Sequence, residues 1–254
     1  MMKEEKVSVS SKFWLCSADC LCGTLSGLIT GGGMTYFYTK YLGLDEGLAS
    51  IVWMIFAVWN ALNDPLFGYI SDRTKSKLGR RIPYIRYGAL LYGVIFILSW
   101  FLWPLGGSQT ALFVQMLVSL FFFDTFYTAI ATSLYVLPYT MAESNQARSG
   151  IFVWKIFFTL LSLAAPLVLF PLVRPDVGES ASRFQTIMIM LGVVTTLVIF
   201  FSTFFYKEKY TSDAEEAPGL WESICQCFKN RAFLVYEVIS FTVIFVQTIL
   251  MQGV

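Results

Sequence analysis

Histidine is absent from the 254 residues of this chain, and charged residues make up only 14% of them. Soluble domains carry about 25% charged residues, so the chain has too few charges to cover a globular surface. Without histidine, no side chain has an ordinary pKa suited to switching charge near neutral pH. The net charge of +1 provides no basic field for nucleic acid. The composition therefore argues against a soluble protein and against a nucleic-acid partner.

The groups that catalysis needs are also scarce. Five cysteines are an odd number for a closed disulfide framework, and no histidine can complete a mixed metal site. The sequence contains no nucleophile elbow of the G-x-S-x-G type. We therefore predict no catalytic residue, no metal site and no cofactor, and an enzyme is the weakest interpretation.

Hydrophobic residues make up 56% of the chain and aromatic residues 17%. A helix needs about 20 mainly apolar residues to cross about 30 Å of hydrocarbon. The stretches of this kind are 13–39, 47–70, 82–103, 110–137, 151–173, 184–205 and 232–254. Proline, paired glycines and polar residues in 103–109 separate the third stretch from the fourth. We predict an all-α, polytopic transmembrane helix bundle in a lipid bilayer.

Lysine and arginine predict the orientation, because they accumulate in cytoplasmic loops. Most of the 18 basic residues fall on the side that holds the N-terminus and the 71–86 loop. We therefore expect a cytoplasmic N-terminus, with the plasma membrane as the location. We expect 1–206 to form a six-helix N-terminal bundle and 207–231 to be a charged cytoplasmic loop between bundles. The seventh span, 232–254, would then begin a second bundle of a longer protein.

Acidic residues inside the spans are candidates for function, since a carboxylate in the membrane must be paired, hydrated or protonated. Asp64 follows two amides in the sequence Asn60-Ala-Leu-Asn-Asp-Pro, and Pro65 leaves the Ala61 carbonyl without its helical donor. Hard cations favour such oxygen-rich sites, whereas a proton needs only the carboxylate. We predict a cation site at Asp64, Asn60 and Asp124. The alternative is a structural polar cluster that bonds to neighbouring helices.

Asp19 and Lys155 leave two interpretations open. Lys155, at the start of the fifth span, could anchor in the headgroups, or it could face a central cavity and pair with an acid or a solute oxygen. Asp19 could lie hydrated near the interface or act in the site.

The most specific part of the chain is the segment 64–84. It follows Asn63 and contains Asp64-Pro65, Asp72-Arg73-Thr74, Gly79-Arg80 and Pro83-Tyr84. On these residues the segment resembles the motif between the second and third helices of the major facilitator superfamily, and more narrowly that of its glycoside-pentoside-hexuronide:cation symporters, the family of melibiose-permease-like proteins. Matches outside this segment are Phe37-Tyr38-Thr39 before Gly43-Leu44, Leu137-Pro138, Arg148 with Lys155 seven residues later, and Asn230-Arg231-Ala232-Phe233.

The resemblance covers the whole chain and implies the six-helix N-terminal half of a major facilitator fold plus one further helix. It also implies a secondary active transporter that couples the symport of a sugar or glycoside to a cation by alternating access. Asp64 matches a second-helix carboxylate of the family, whereas Asn60 and Thr24 replace two others. The fourth-helix acid of the family falls near residue 130, with Asp124 about two turns earlier. With a single matching carboxylate, a proton is favoured over sodium as the coupling ion.

The solute site and the gate follow from the same resemblance. Lys155 replaces the family's arginine at the start of the fifth helix. The residues that we predict to bind solute are Lys155, Thr24, Tyr127, Tyr135 and Asp19. Those that we predict to form a cytoplasmic gate are Asp72, Arg73, Gly79, Arg80 and Arg81. Charge-assisted contacts in this loop would break when the two halves of a carrier rock apart. The alternative for the loop is a solvated basic segment that only sets orientation.

Two other functions remain open. Relatives of this family carry lysolipids or other small metabolites, and the aromatic content suits an apolar solute. Alternatively, the protein is a non-transporting receptor or scaffold on a carrier fold, which the replaced carboxylates favour.

Overall fold

The computed structural model describes residues 6–209, 222, 225 and 228–252. The chain divides into two compact units, Met1–Ser212 and Asp213–Val254. The helices of the first unit are α1 (Val9–Thr30), α2 (Gly33–Tyr36), a π-helix (Phe37–Tyr41), α3 (Glu46–Arg73), α4 (Ile82–Leu98), α5 (Gln109–Met141), α6 (Asn145–Val173) and α7 (Ser182–Ser202). The second unit contains α8 (Arg231–Gln252).

The predicted all-α membrane bundle is confirmed. The described helical segments that are long and apolar enough to cross a membrane are Val9–Tyr41, α3, α5, α6 and α7. α4 is apolar but shorter, with 17 residues that extend about 26 Å. α8 has 22 residues and covers the predicted seventh span except its last two residues, which lie outside the described part of the chain. The division of the chain into two bundles and a cytoplasmic loop stays a prediction.

The helix starts have a local cause. Side-chain oxygens at the N-cap positions of four long helices accept a hydrogen bond from the backbone N–H three residues later, which satisfies a donor that the helix itself leaves free. These N-cap residues are Ser8, Asp45, Ser108 and Ser144.

The third span ends earlier than the sequence predicts, at Leu98 instead of residue 103. The buried side chain of Gln115 explains the difference. Its Nε2 donates to the carbonyl of Phe101 at 2.7 Å, and its Oε1 accepts from the N–H of Trp103 at 3.0 Å. These peptide groups are therefore satisfied without a helix, although the residues are apolar.

Helix packing places the spans that carry the candidate residues next to one another. α1 packs against α6 and α7, α4 against α5 and α7, and α3 against α5. The contact between α1 and α6 is close because Gly23 faces Ser162 and Gly27 faces Pro166. A Cβ added at Gly27 would lie 2.6 Å from Cγ of Pro166. Glycine thus permits a backbone approach that a larger residue would prevent.

Candidate functional site

The carboxylate of Asp124 on α5 is held by two amides from α3. Asn63 Nδ2 donates to Asp124 Oδ2 at 2.9 Å and to the Asp124 backbone carbonyl at 3.2 Å. Asn60 Nδ2 donates to Oδ1 at 3.1 Å. Asp124 is only 3% exposed, and Asn63 is fully buried. The structure therefore brings together the predicted residues Asn60 and Asp124.

Asp64 lies one helical turn after Asn60 on α3, and its side chain is exposed. Its Oδ1 accepts a hydrogen bond from Thr128 Oγ1 at 3.0 Å. Asn60 and Asp124 are 64 positions apart in sequence, and so are Asp64 and Thr128. A constant separation at successive turns means that α3 and α5 run in the same direction and meet along one face of each helix.

The resulting cluster is rich in oxygen atoms. It contains two carboxylates, the hydroxyl of Thr128 and the amide oxygens of Asn60 and Asn63. Asn63 Oδ1 is buried and has no hydrogen-bond partner among the described residues. Oxygen donors of this kind suit a hard cation, and either carboxylate could accept a proton.

Two members of this cluster were not among the residues predicted for the cation site. Asn63 was visible as the second of the two amides before Asp64, but its contact with Asp124 depends on the packing of α5 on α3. Thr128 carries no signal in sequence, because it reaches Asp64 only through the packing of α5 on α3.

A second polar site joins α1 and α6. Lys155 Nζ lies 3.2 Å from Asp19 Oδ2, and the two side chains are 12% and 26% exposed. The ammonium group also lies 5.8 Å from the centre of the Tyr135 ring, which is 61% exposed. Of the two interpretations of Lys155, the structure shows the pairing with an acid. It brings together three of the predicted solute-binding residues.

The other two predicted solute-binding residues take part in packing. Thr24 is buried, and its hydroxyl donates to the Cys20 carbonyl of the preceding turn at 2.8 Å. The ring of Tyr127 stacks on Phe123 with the ring centroids 6.4 Å apart and also lies near Tyr92.

The loop between α3 and α4 contains the predicted gate. Arg81 Nη2 lies 2.5 Å from Asp72 Oδ1, and the guanidinium is largely buried. The guanidinium of Arg73 lies 4.0 Å above the ring of Tyr69. The structure therefore joins Asp72 and Arg81 in an ion pair and places Arg73 against its own helix. Gly79 contributes a backbone turn with a positive φ to this loop, and Arg80 donates its backbone N–H to Glu208.

Ionisable side chains that pair between membrane spans mark ion or solute pathways in membrane proteins. Residues 23–253 match the family described as MFS/sugar transport protein. The chain belongs to this family. The resemblance to the glycoside-pentoside-hexuronide:cation symporters is thereby confirmed, and the family is one of transporters rather than enzymes.

Several curated proteins are similar to this chain. One is the putative glycoside/cation symporter YagG of Escherichia coli, 26% identical over 73% of this chain and 40% of the relative. Another is the uncharacterized symporter YnaJ of Bacillus subtilis, 25% identical over 95% of this chain and 52% of the relative. The mouse sodium-dependent lysophosphatidylcholine symporter 1 is 28% identical over 63% of this chain and 30% of that protein. The chain thus spans about half, or less, of the length of these relatives.

Proposed function

We propose that this chain acts in the cation-coupled symport of a sugar or glycoside by alternating access, in the plasma membrane and with its N-terminus in the cytoplasm. The observation that carries the proposal is the cluster of carboxylates and amides between α3 and α5. The names of bacterial relatives, which include a putative glycoside/cation symporter, support the substrate class.

The coupling ion would bind at Asp64 and Asp124. A charged side chain that faces lipid at the bilayer centre costs at least about 2.5 kcal/mol, so the exposed side of Asp64 should face a water-filled cavity. From there a cation could reach the buried Asp124 and the free amide oxygen of Asn63. The sequence favoured a proton because it offered one matching carboxylate. The carboxylate of Asp124 close to Asp64, together with the amide oxygens of Asn60 and Asn63, supports sodium as the coupling ion.

The solute would bind at the pair of Asp19 and Lys155. The two charges neutralise each other, which favours a solute without net charge. An acidic acceptor beside a basic donor suits the hydroxyl groups of a sugar, and the exposed ring of Tyr135 offers an apolar face for the sugar ring.

The cytoplasmic gate would use the ion pair of Asp72 and Arg81. A carrier that opens to the cytoplasm must separate the helix ends on that side, so this contact would form and break in each cycle.

Transport by the full-length protein in proteoliposomes tests the proposal. The probes are radiolabelled methyl galactoside, glucoside and xyloside, each driven by an imposed sodium gradient or an imposed proton gradient. We expect Asp64→Asn to abolish uphill accumulation while downhill flux remains, and Asp176→Asn, in an exposed loop, to behave like the wild type. Uphill accumulation by Asp64→Asn at the wild-type level would remove Asp64 from coupling.

A lysolipid carrier is the second candidate, supported by the mouse relative named as a lysophosphatidylcholine symporter. Such a carrier should take lysophosphatidylcholine from the bilayer of the same vesicles and ignore the glycosides. A receptor or scaffold should transport neither. Ligand-dependent stabilisation without flux would identify a receptor.

A further inference from the structure

The carboxylate of Glu208 occupies the N-terminus of α4. Its Oε1 accepts the N–H groups of Arg81 at 2.8 Å and Ile82 at 3.0 Å, and its Oε2 accepts that of Arg80 at 2.9 Å. The N–H groups of Arg81, the N-cap, and Ile82 are free donors at the start of the helix, where the helix dipole also favours a negative charge, and that of Arg80 lies just before the helix. Glu208 follows α7 and lies 126 to 128 positions in sequence after the three residues whose N–H groups it accepts.

Gly79 makes room for this carboxylate. Its φ of +109° is strained for any residue with a side chain, and an added Cβ would lie 2.6 Å from Cδ and Oε1 of Glu208. The glycine of the loop motif therefore serves both the backbone turn and the close approach of the carboxylate.

Arg81 joins this contact to the ion pair of the gate. Its N–H donates to Glu208, while its guanidinium binds Asp72 and lies 3.5 Å from the hydroxyl of Ser71. The backbone that presents the guanidinium is thus fixed by Glu208.

The segment that carries Glu208 is itself anchored to the bundle. At its start, Thr203 Oγ1 accepts a hydrogen bond from Arg86 Nε at 2.8 Å. At its end, the N–H of Lys209 donates to the Thr140 carbonyl at 3.0 Å. The segment 203–209 therefore connects the ends of α4, α5 and α7.

We propose that Glu208 is a positioning residue for the cytoplasmic gate, because it holds the backbone of Arg81 where the guanidinium reaches Asp72. It thereby couples the connection after α7 to the opening of the loop between α3 and α4. This inference rests on the proposed function only in assigning the loop to a gate. A simple helix cap would stabilise α4 without affecting the gate contact.

Two measurements on the full-length protein in nanodiscs separate these roles. Hydrogen exchange reports on the amides of 80–82, and maleimide labelling of Ser71→Cys, read by site-resolved mass spectrometry, reports on the gate contact. Ser71 is buried, so its labelling requires the loop to move. Glu208→Gln removes the charge and keeps the shape, and we expect both rates to rise about tenfold.

Gly79→Ala should give the same result from the other side of the contact. Its matched control is Gly106→Ala, which has a similar positive φ of +86° and open space around the added Cβ. Glu179→Gln controls for loss of a surface charge. Both controls should leave the two rates unchanged.

Faster exchange with unchanged labelling would overturn the proposal, since it would mean that Glu208 only caps α4. Unchanged exchange in Glu208→Gln would overturn it as well. If that variant does not fold, Glu208→Asp, whose carboxylate is one methylene short, undergoes the same two measurements. Neither measurement uses a solute, so failure of the transport proposal would be seen separately.

Discussion

The hydrogen bonds from Asn63 to Asp124 allow a quantitative test of the cluster between α3 and α5. The perturbation is Asn63→Leu, which keeps a similar volume and so leaves little cavity. It removes a buried bond of 2.9 Å to the carboxylate and one of 3.2 Å to the backbone carbonyl. A hydrogen bond to a charged group contributes about 1.5–3 kcal/mol in soluble proteins. In membrane proteins the measured interactions average about 0.6 kcal/mol and reach about 1.7 kcal/mol.

We expect the coupling between Asn63 and Asp124 to lie near the upper end of the membrane range, at about 1.5 kcal/mol, because both groups are buried and the acceptor is a carboxylate. The free energy of unfolding by steric trapping in bicelles, measured for Asn63→Leu, Asp124→Leu and the double variant, gives this coupling. The decrease in the free energy of unfolding caused by Asn63→Leu alone should exceed this coupling energy, because the bond to the backbone carbonyl is also lost.

Asn60→Leu provides the comparison within the same cluster. Asn60 makes a single bond of 3.1 Å to Asp124 and is only partly buried, so its coupling should be smaller, at about 0.5 kcal/mol. A coupling for Asn63 below about 0.3 kcal/mol, or one no larger than that of Asn60, would refute the reasoning.

Two further predictions concern α1 and α6. Asp19→Lys and Lys155→Asp should each destabilise the protein by about 2 kcal/mol or more, and the double variant should recover most of the loss, as measured by thermal unfolding; no recovery would mean that the pair is not formed. Gly27→Ala should cost about 1–3 kcal/mol because its Cβ meets Pro166, whereas Gly107→Ala, in open space, should change stability by less than about 0.5 kcal/mol. Equal effects in the two glycine variants would contradict the close packing of α1 on α6.

The membrane bundle could be predicted because its signal is local. About 20 consecutive apolar residues suffice to identify a span, and the loop motif from Asp64 to Tyr84 was enough to recognise the family. The end of the third span could not be predicted in the same way. Residues 99–103 are mostly apolar, as a helix in the membrane requires, but side chains from other helices bind their peptide groups in a turn: Gln115 binds the Phe101 carbonyl and the Trp103 N–H, and Gln185 binds the Trp100 carbonyl.

Candidate residues could be singled out from the sequence where the residue type itself is unusual in its helix, whereas the contacts between elements could not. Asp64 and Lys155 stand out as ionisable residues in apolar stretches. Thr128 and Glu208 do not, because a threonine in a helix and a glutamate in a charged loop are ordinary. Their contacts depend on packing over 64 and about 127 positions of sequence.

The equal separation of the two polar contacts between α3 and α5 has a consequence for how this chain can vary. One residue inserted into either helix ahead of both contacts rotates everything beyond it by about 100°, which would turn Asn60 from Asp124 and Asp64 from Thr128 in one event. Substitutions can alter these four positions one at a time. A change of length in the stretch that precedes them would instead displace both contact residues of that helix together.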